Sequence, residues 1–305
     1  MEYVYTIVIL SCVNVILASG FNLILGYGGL VSIAHPIFYA IGGYVSALVS
    51  MKLGVPPIFA VVIGTMAAAI ASVGLSVPSL RISGDYLVIA SIGFQLGLVH
   101  ILNNLELTGQ AGGLSNIPSI IELPGRTLVF SLIMIVVAGL CVLVIRKLVN
   151  GDFGRAIIAM RDDEEAFSAL GRNPIKLKVV LFAVGSGMAG FAGSLYAHFF
   201  LYLTPDDFGI FTSAALLTMV VVGGAATTWG PVAGAVLLTV LPEAIKFLDL
   251  PVSIMAPLQG VIFTLLVIFF LYARPQGLLG GRRRGGGLEV WSSRGAYRSP
   301  DGGET

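Results

Sequence analysis

The stretch TLVFSLIMIVVAGLCVLVIRKL, residues 127–148, decides what kind of molecule this is. From Thr127 to Ile145 it carries no charged side chain, and it then runs into Arg146 and Lys147. About 20 apolar residues in an α-helix cross the core of a bilayer. Working outward, comparable runs lie at residues 4–25, 30–50, 57–78, 86–103, 176–202, 208–224, 229–248 and 254–273. The pattern predicts nine transmembrane helices and an all-α polytopic membrane protein. Composition points the same way. Of 305 residues, 17 are Lys or Arg and 16 are Asp or Glu, so 11% are charged, where a soluble domain carries about 25%. Hydrophobic residues make up 56% and the mean hydropathy is +0.95. A globule in water could not cover so much apolar surface. A soluble enzyme, a nucleic-acid binder and a secreted disulfide scaffold are therefore excluded. Cys12 and Cys141 both sit in apolar runs and read as small buried hydrophobes.

Glycine is abundant, at 39 residues, and it clusters with Ala inside the runs, as in Gly185 to Gly193. Small residues let helix backbones approach closely in lipid. Two stretches are also interrupted by Gly and Pro. One holds Gly26, Gly28 and Gly29, followed by His35-Pro36; the other holds Gly223 and Gly224, followed by Trp229-Gly230-Pro231. Paired broken helices of this kind suggest an internal repeat around a central pathway, and close packing alone is the plainer reading. His35 and Glu243 are the main ionisable candidates within runs, Glu243 deep in a late one. With Gly28, Gly29, Gly223 and Gly224 they are the candidates for a translocation path. His100 and His198 fall near run ends, where an imidazole at the interface is ordinary. Asp85 reads as a carboxylate at a helix N-terminus. Tyr27 and Tyr196 read as packing aromatics.

Fourteen of the 17 basic residues fall in loops or a tail on one side of the predicted membrane, and only Lys52, Arg126 and Lys246 fall on the other. The positive-inside rule then places the N-terminus outside and the C-terminus in the cytoplasm. Residues 1–280 form the transmembrane unit, and residues 281–305, rich in Gly, Arg and Ser, read as a disordered cytoplasmic tail.

Residues 150–175 are the only charge-dense stretch between runs. Asp152 suits the cap of a first short helix, Phe153 to Arg161. Asp162 with Glu165 suits the capping box of a second. Gly171 suits the turn that ends it, and Pro174 a stop shortly after. Ile157, Met160, Phe167 and Leu170 supply an apolar stripe that could dock in a groove of a cytoplasmic partner or lie on lipid. The charge of −4 over Asp162 to Glu165 disfavours lying on an anionic leaflet.

In this loop Gly154-Arg155-Ala156, Arg161 to Ala166 and Ala169-Leu170-Gly171, followed by Asn173-Pro174, resemble the cytoplasmic coupling loop of the permease subunits of branched-chain amino acid ABC importers, the LivM type in particular. Gly26 to Ser32 with Ala34-His35 resembles the family's second-span motif. Arg81 to Tyr86 resembles its R-x-x-G turn, and Thr108-Gly109 to Gly112-Gly113 its external loop. Gly190 to His198 and Gly223 to Pro231 resemble its last two motifs. The likeness runs over roughly residues 10–275. It implies one half of a heterodimeric pore in a prokaryotic cytoplasmic (inner) membrane. The partners would be a sister permease, two P-loop ATPases and a periplasmic or lipid-anchored substrate-binding protein, besides membrane lipid and without nucleic acid. By the same match, Arg155, Met160, Arg161, Asp163, Glu164, Glu165, Ala166 and Gly171 would meet the ATPase. Two departures stand out. Family members usually begin with one further span, and Pro36 follows His35 where a small residue is usual, which would bend the segment.

No residue reads as catalytic. The chain lacks a G-x-x-x-x-G-K-[ST] phosphate loop, a Cys/His cluster with metal spacing and a G-x-S-x-G elbow, so no cofactor or metal is expected in it. The substrates implied are leucine, isoleucine and valine, with urea, amides or other amino acids as alternatives. An ion-coupled secondary transporter is the rival from another class, and it would need His35 and Glu243 as ion or proton sites.

Overall fold

The computed structural model describes residues 2–79, 85–121 and 125–246, and nine single positions between 261 and 279. Ten α-helices account for most of it: α1 (Glu2–Asn22), α2 (His35–Leu53), α3 (Pro57–Ser79), α4 (Asp85–Asn104), α5 (Arg126–Asn150), α6 (Asp152–Asp162), α7 (Glu164–Ala169), α8 (Pro174–Phe200), α9 (Ile210–Gly223) and α10 (Gly230–Lys246). Among the described residues, seven helices are long and apolar enough to cross a membrane, and α10 is a shorter apolar one. The count therefore differs from the nine expected. The ninth expected run, 254–273, and the tail lie mostly or wholly outside the described residues, as does the turn at Arg81. This is a multi-pass membrane protein. Helices suit such a chain because they satisfy every backbone group within the segment where no water is available.

The helices alternate in direction and give the bundle two ends. One holds the start of α1, the α2–α3 turn, the α4–α5 connection and the α8–α9 connection. The other holds the end of α1, α6, α7 and the α9–α10 turn. Helix α8 is central: it packs on α1, α2 and α3, while α1 also packs on α5 and α10. The α1 span is 78% buried and the α4 span only 22%, so α3, α4 and α5 turn large apolar faces outward.

Small residues set the α2–α8 contact. A Cβ at Gly42 would overlap the backbone of Gly190, and one at Gly193 would overlap the Tyr39 carbonyl. The Ser194 hydroxyl lies 2.9 Å from Gly190 O in its own helix and 3.0 Å from Gly42 O across the interface. Close backbones and a hydroxyl between them are the means by which helices associate without a hydrophobic driving force.

The end opposite α6 is closed by a two-stranded sheet. Leu114–Ser115 (β1) pairs antiparallel with Tyr202–Leu203 (β2). His198 was expected at an interface and is instead wholly buried. Its Nδ1 lies 2.7 Å from the Pro118 carbonyl and must donate there. Nε2 then accepts from the Ser46 hydroxyl at 2.8 Å. One neutral ring thus ties the α4–α5 connection to α2 and α8.

Candidate functional site

The loop between α5 and α8 forms two helices, as expected, with a different start for each. The residue before α6 is Gly151, and Asp152 stands in the first turn, paired with Arg155. The cap of α7 is Asp163, not Asp162: its Oδ1 accepts from Ala166 N at 2.9 Å. Gly171 adopts φ +76° and ends the segment as expected. Pro174 does not stop the chain; it opens α8, where Asn173 accepts from Lys176 N at 3.1 Å. Proline fits a first turn because its missing N–H would have no partner there.

The apolar stripe expected to meet a partner turns inward. Ile157, Met160 and Phe167 are buried, Ile157 among Leu23, Tyr27, Ile145, Val149 and Leu181, and only Leu170 projects, at 81% exposure. The outward surface is therefore Asp162, Asp163, Glu164, Glu165, Ala166 and Gly171, with Arg155 nearby. Two charged members of the expected set reach partners in other helices. Glu164 takes the buried Lys178 ammonium at 2.7 and 2.8 Å, and Arg161 donates to the Gly26 carbonyl at 3.0 Å.

Gly26 belongs to the first of the two broken segments, and the structure brings both breaks together beside α6. Helix α1 continues as a π-helical turn over Leu23–Tyr27, marked by Gly28 N bonding Leu23 O at 3.1 Å. Gly29 then turns away at φ +68°. The second break follows α9, with Gly224 at φ +117° and Ala226 at φ +57°. The Asn22 side chain joins them: its amide nitrogen donates to Thr227 O and its oxygen accepts from Ala226 N, both at 2.8 Å. Leu278 N and Leu279 N donate to Val222 O and Gly223 O, at 2.8 and 3.1 Å. Backbone groups released by the breaks are thus met by protein, the condition for irregular chain inside a membrane.

Between Gly29 and His35 the chain is not helical, so α2 starts later than the expected run. Ile33 fixes it: its N–H donates to Ser91 Oγ at 2.9 Å, and its carbonyl lies 2.9 Å from Ser213 Oγ. Gln95 lies 2.6 Å from the same hydroxyl and donates to Phe208 O and Gly209 O. Pro36 sits in the opening turn of α2 and bends nothing. His35 is buried against the Phe21 ring, with 5.1 Å between centroids. Glu243 is not deep in the bundle. It accepts from the Tyr3 hydroxyl, at the start of α1 and the end remote from Gly223 and Gly224. Of the six path candidates, Gly28, Gly29, Gly223 and Gly224 gather at the junction, His35 opens α2, and Glu243 lies at the other end. The residues missed from sequence are Asn22, Ser91, Gln95 and Ser213. Their signal was an amide or hydroxyl inside an apolar run, where a polar side chain needs a partner. Among the described residues no cluster could hold a metal ion.

Residues 3–271 match the family described as branched-chain amino acid transport system / permease component. The chain belongs to this permease family. It is 31% identical over 297 residues to the high-affinity branched-chain amino acid transport system permease protein LivM of Escherichia coli K12, an alignment covering 88% of this chain and 68% of that one. The probable LivM permease of Methanocaldococcus jannaschii is 27% identical over 278 residues, covering 83% and 80%. The LivH permease of Salmonella typhimurium is 24% identical over 299 residues, covering 92% and 95%. No solved structure matches. Within the permease family, the matched range takes in both broken segments, their junction and the α6–α7 loop.

Proposed function

We propose that this chain is the membrane-crossing permease subunit of an ATP-driven ABC importer in a prokaryotic inner membrane, and that it passes leucine, isoleucine and valine. The family match over residues 3–271 carries the reading, and the LivM relatives supply the substrate class. A sister permease completes the pore. A substrate-binding protein delivers from the end that holds β1 and β2, and two P-loop ATPases act at the end that holds α6 and α7. The chain itself hydrolyses nothing.

The α6–α7 loop suits the ATPase contact because its outward face is acidic and its apolar side, apart from Leu170, is spent on the bundle. Among the described residues, seven basic ones, Arg146, Lys147, Arg155, Arg161, Arg172, Lys176 and Lys178, lie at this end, against Lys52, Arg126 and Lys246 at the other. That bias supports a cytoplasmic α6–α7 end. ATP-driven closure of the ATPases would move the loop, and the two permeases would rock between outward- and inward-facing states. Glu243 at a bundle end removes one of the two buried groups that an ion-coupled transporter would use.

Purification of the tagged chain from its own membranes in mild detergent tests the assembly. P-loop ATPases and a second permease of similar size are expected with it; recovery of the chain alone would overturn the reading. In the assembled importer, Glu165→Arg reverses the charge of the outward face. Leucine uptake should fall by at least about tenfold while ATP hydrolysis persists, within the 5–150-fold span of common coupling energies. Undiminished uptake would remove the loop from the mechanism.

A further inference from the structure

Arg161 stands among residues that the family resemblance assigns to the ATPase contact, and its geometry serves a different purpose. Its side chain is 23% exposed and runs back along the bundle instead of outward. The guanidinium donates through Nη1 to Gly26 O at 3.0 Å, and Nη2 lies 3.2 Å from Asp162. Gly26 lies in the last turn of the α1 helix, where carbonyls have no partner further along the chain. Gly29 makes the approach possible: a Cβ there would lie 2.5 Å from Arg161 Cγ and 2.9 Å from Cδ. One turn before Gly26, Asn22 holds the α9–α10 turn through Ala226 N and Thr227 O. A short series of directional bonds therefore leads from the last turn of α6, through the π-helical end of α1, to the break after α9.

We propose that Arg161 is a positioning residue that passes displacement of the α6–α7 loop to the paired helix breaks, by way of Gly26 and Asn22, and that it does not bind the ATPase. The proposal rests on the importer reading above. The exposed acidic residues take the force from outside, and Arg161 transmits it inside. The links act in series, so loss of either one disconnects the loop from the α9–α10 turn.

The test uses the complete importer, reconstituted in liposomes with both permeases, the ATPases and the binding protein. Arg161→Gln and Asn22→Leu should each leave ATPase co-purification intact and basal ATP hydrolysis within about twofold. Leucine uptake should fall by about tenfold, within the range common for coupling between sites. The double variant should transport no worse than either single one, because coupled residues in one network are not additive. Arg161→Lys keeps a charged donor of longer reach than glutamine for the Gly26 carbonyl and should restore part of the uptake. Gly29→Ala keeps the charge, displaces the Arg161 stem and should reproduce the loss, so it and Asn22→Leu decide the matter if Arg161→Gln folds badly. Loss of ATPase from Arg161→Gln alone would make Arg161 a docking residue and overturn the proposal. So would normal uptake in Gly29→Ala and Asn22→Leu, or losses that multiply in the double variant. Absence of ATPase from the unaltered complex would instead overturn the importer reading.

Discussion

Lys178 is 7% exposed, and Glu164 meets it with both carboxylate oxygens. The pair joins the start of α7 to α8 across 14 residues of sequence. A charge-assisted hydrogen bond contributes about 1.5–3 kcal/mol, and an ammonium left at a covered site without its partner costs more than the bond alone. Because Glu164 is half exposed, the lower part of that range applies. Glu164→Ala should destabilise the purified protein by about 2 kcal/mol, read as a lower midpoint of thermal unfolding in detergent, and Glu164→Asp should recover little because its reach is shorter. At this scale the sequence was legible in kind and ambiguous in register. Asp162-Asp163-Glu164-Glu165 offers two adjacent carboxylates as caps, and spacing alone does not choose between them. The choice falls to Asp163 because α6 runs on through Asp162. Arg161 and Glu164 read as outward charges because nothing local shows that Gly26 and Lys178 lie within reach.

Helices with uniform apolar faces match their expected limits within a few residues, α3 most clearly, at Pro57–Ser79 against 57–78. The start of α2 does not. Residues 30–34 read as part of a span because Leu30, Val31, Ile33 and Ala34 are apolar, yet they are non-helical, held by Ser91 and Ser213 from α4 and α9. Tertiary partners, distant in sequence, satisfy backbone groups that a helix would otherwise have satisfied locally. The inward turn of Ile157, Met160 and Phe167 has a similar origin. An amphipathic helix shows which face is apolar, and only the bundle shows that this face is already occupied. Between α2 and α8 the glycines are contact points, as their clustering within the runs predicts. Gly42→Val should force the two helices apart, because its Cβ would overlap Gly190. Overpacking of this kind costs about 1–3 kcal/mol and sometimes more. A lower yield of monodisperse protein by size-exclusion chromatography is expected, with Gly139→Val, at a helical position where an added Cβ meets nothing within 4 Å, as the control for the change itself.

The whole molecule has two unlike ends, and their placement in the membrane is testable directly. With Cys12→Ser and Cys141→Ser as background, a single cysteine at Glu106→Cys should react with a membrane-impermeant maleimide on intact spheroplasts. One at Glu165→Cys should react only after the membrane is opened. The reverse pattern would turn the molecule over and take α6 and α7 away from cytoplasmic ATPases. At this scale the sequence showed the class of molecule and the sidedness of its charge. It did not show that the two Gly-rich breaks touch, because Asn22 and Thr227 are far apart in the chain.

The donors for Val222 O and Gly223 O are Leu278 and Leu279, close to the end of the described chain. Chains are made from the N-terminus, at about 5–20 residues per second. The first break, Asn22 and the α6–α7 loop are therefore all synthesised before the residues that finish the second break. The junction is completed late in the protein's biogenesis, after every spanning helix described here has left the ribosome. A chain interrupted before Leu278 would carry the bundle and its loop, with the α9 carbonyls still to be capped.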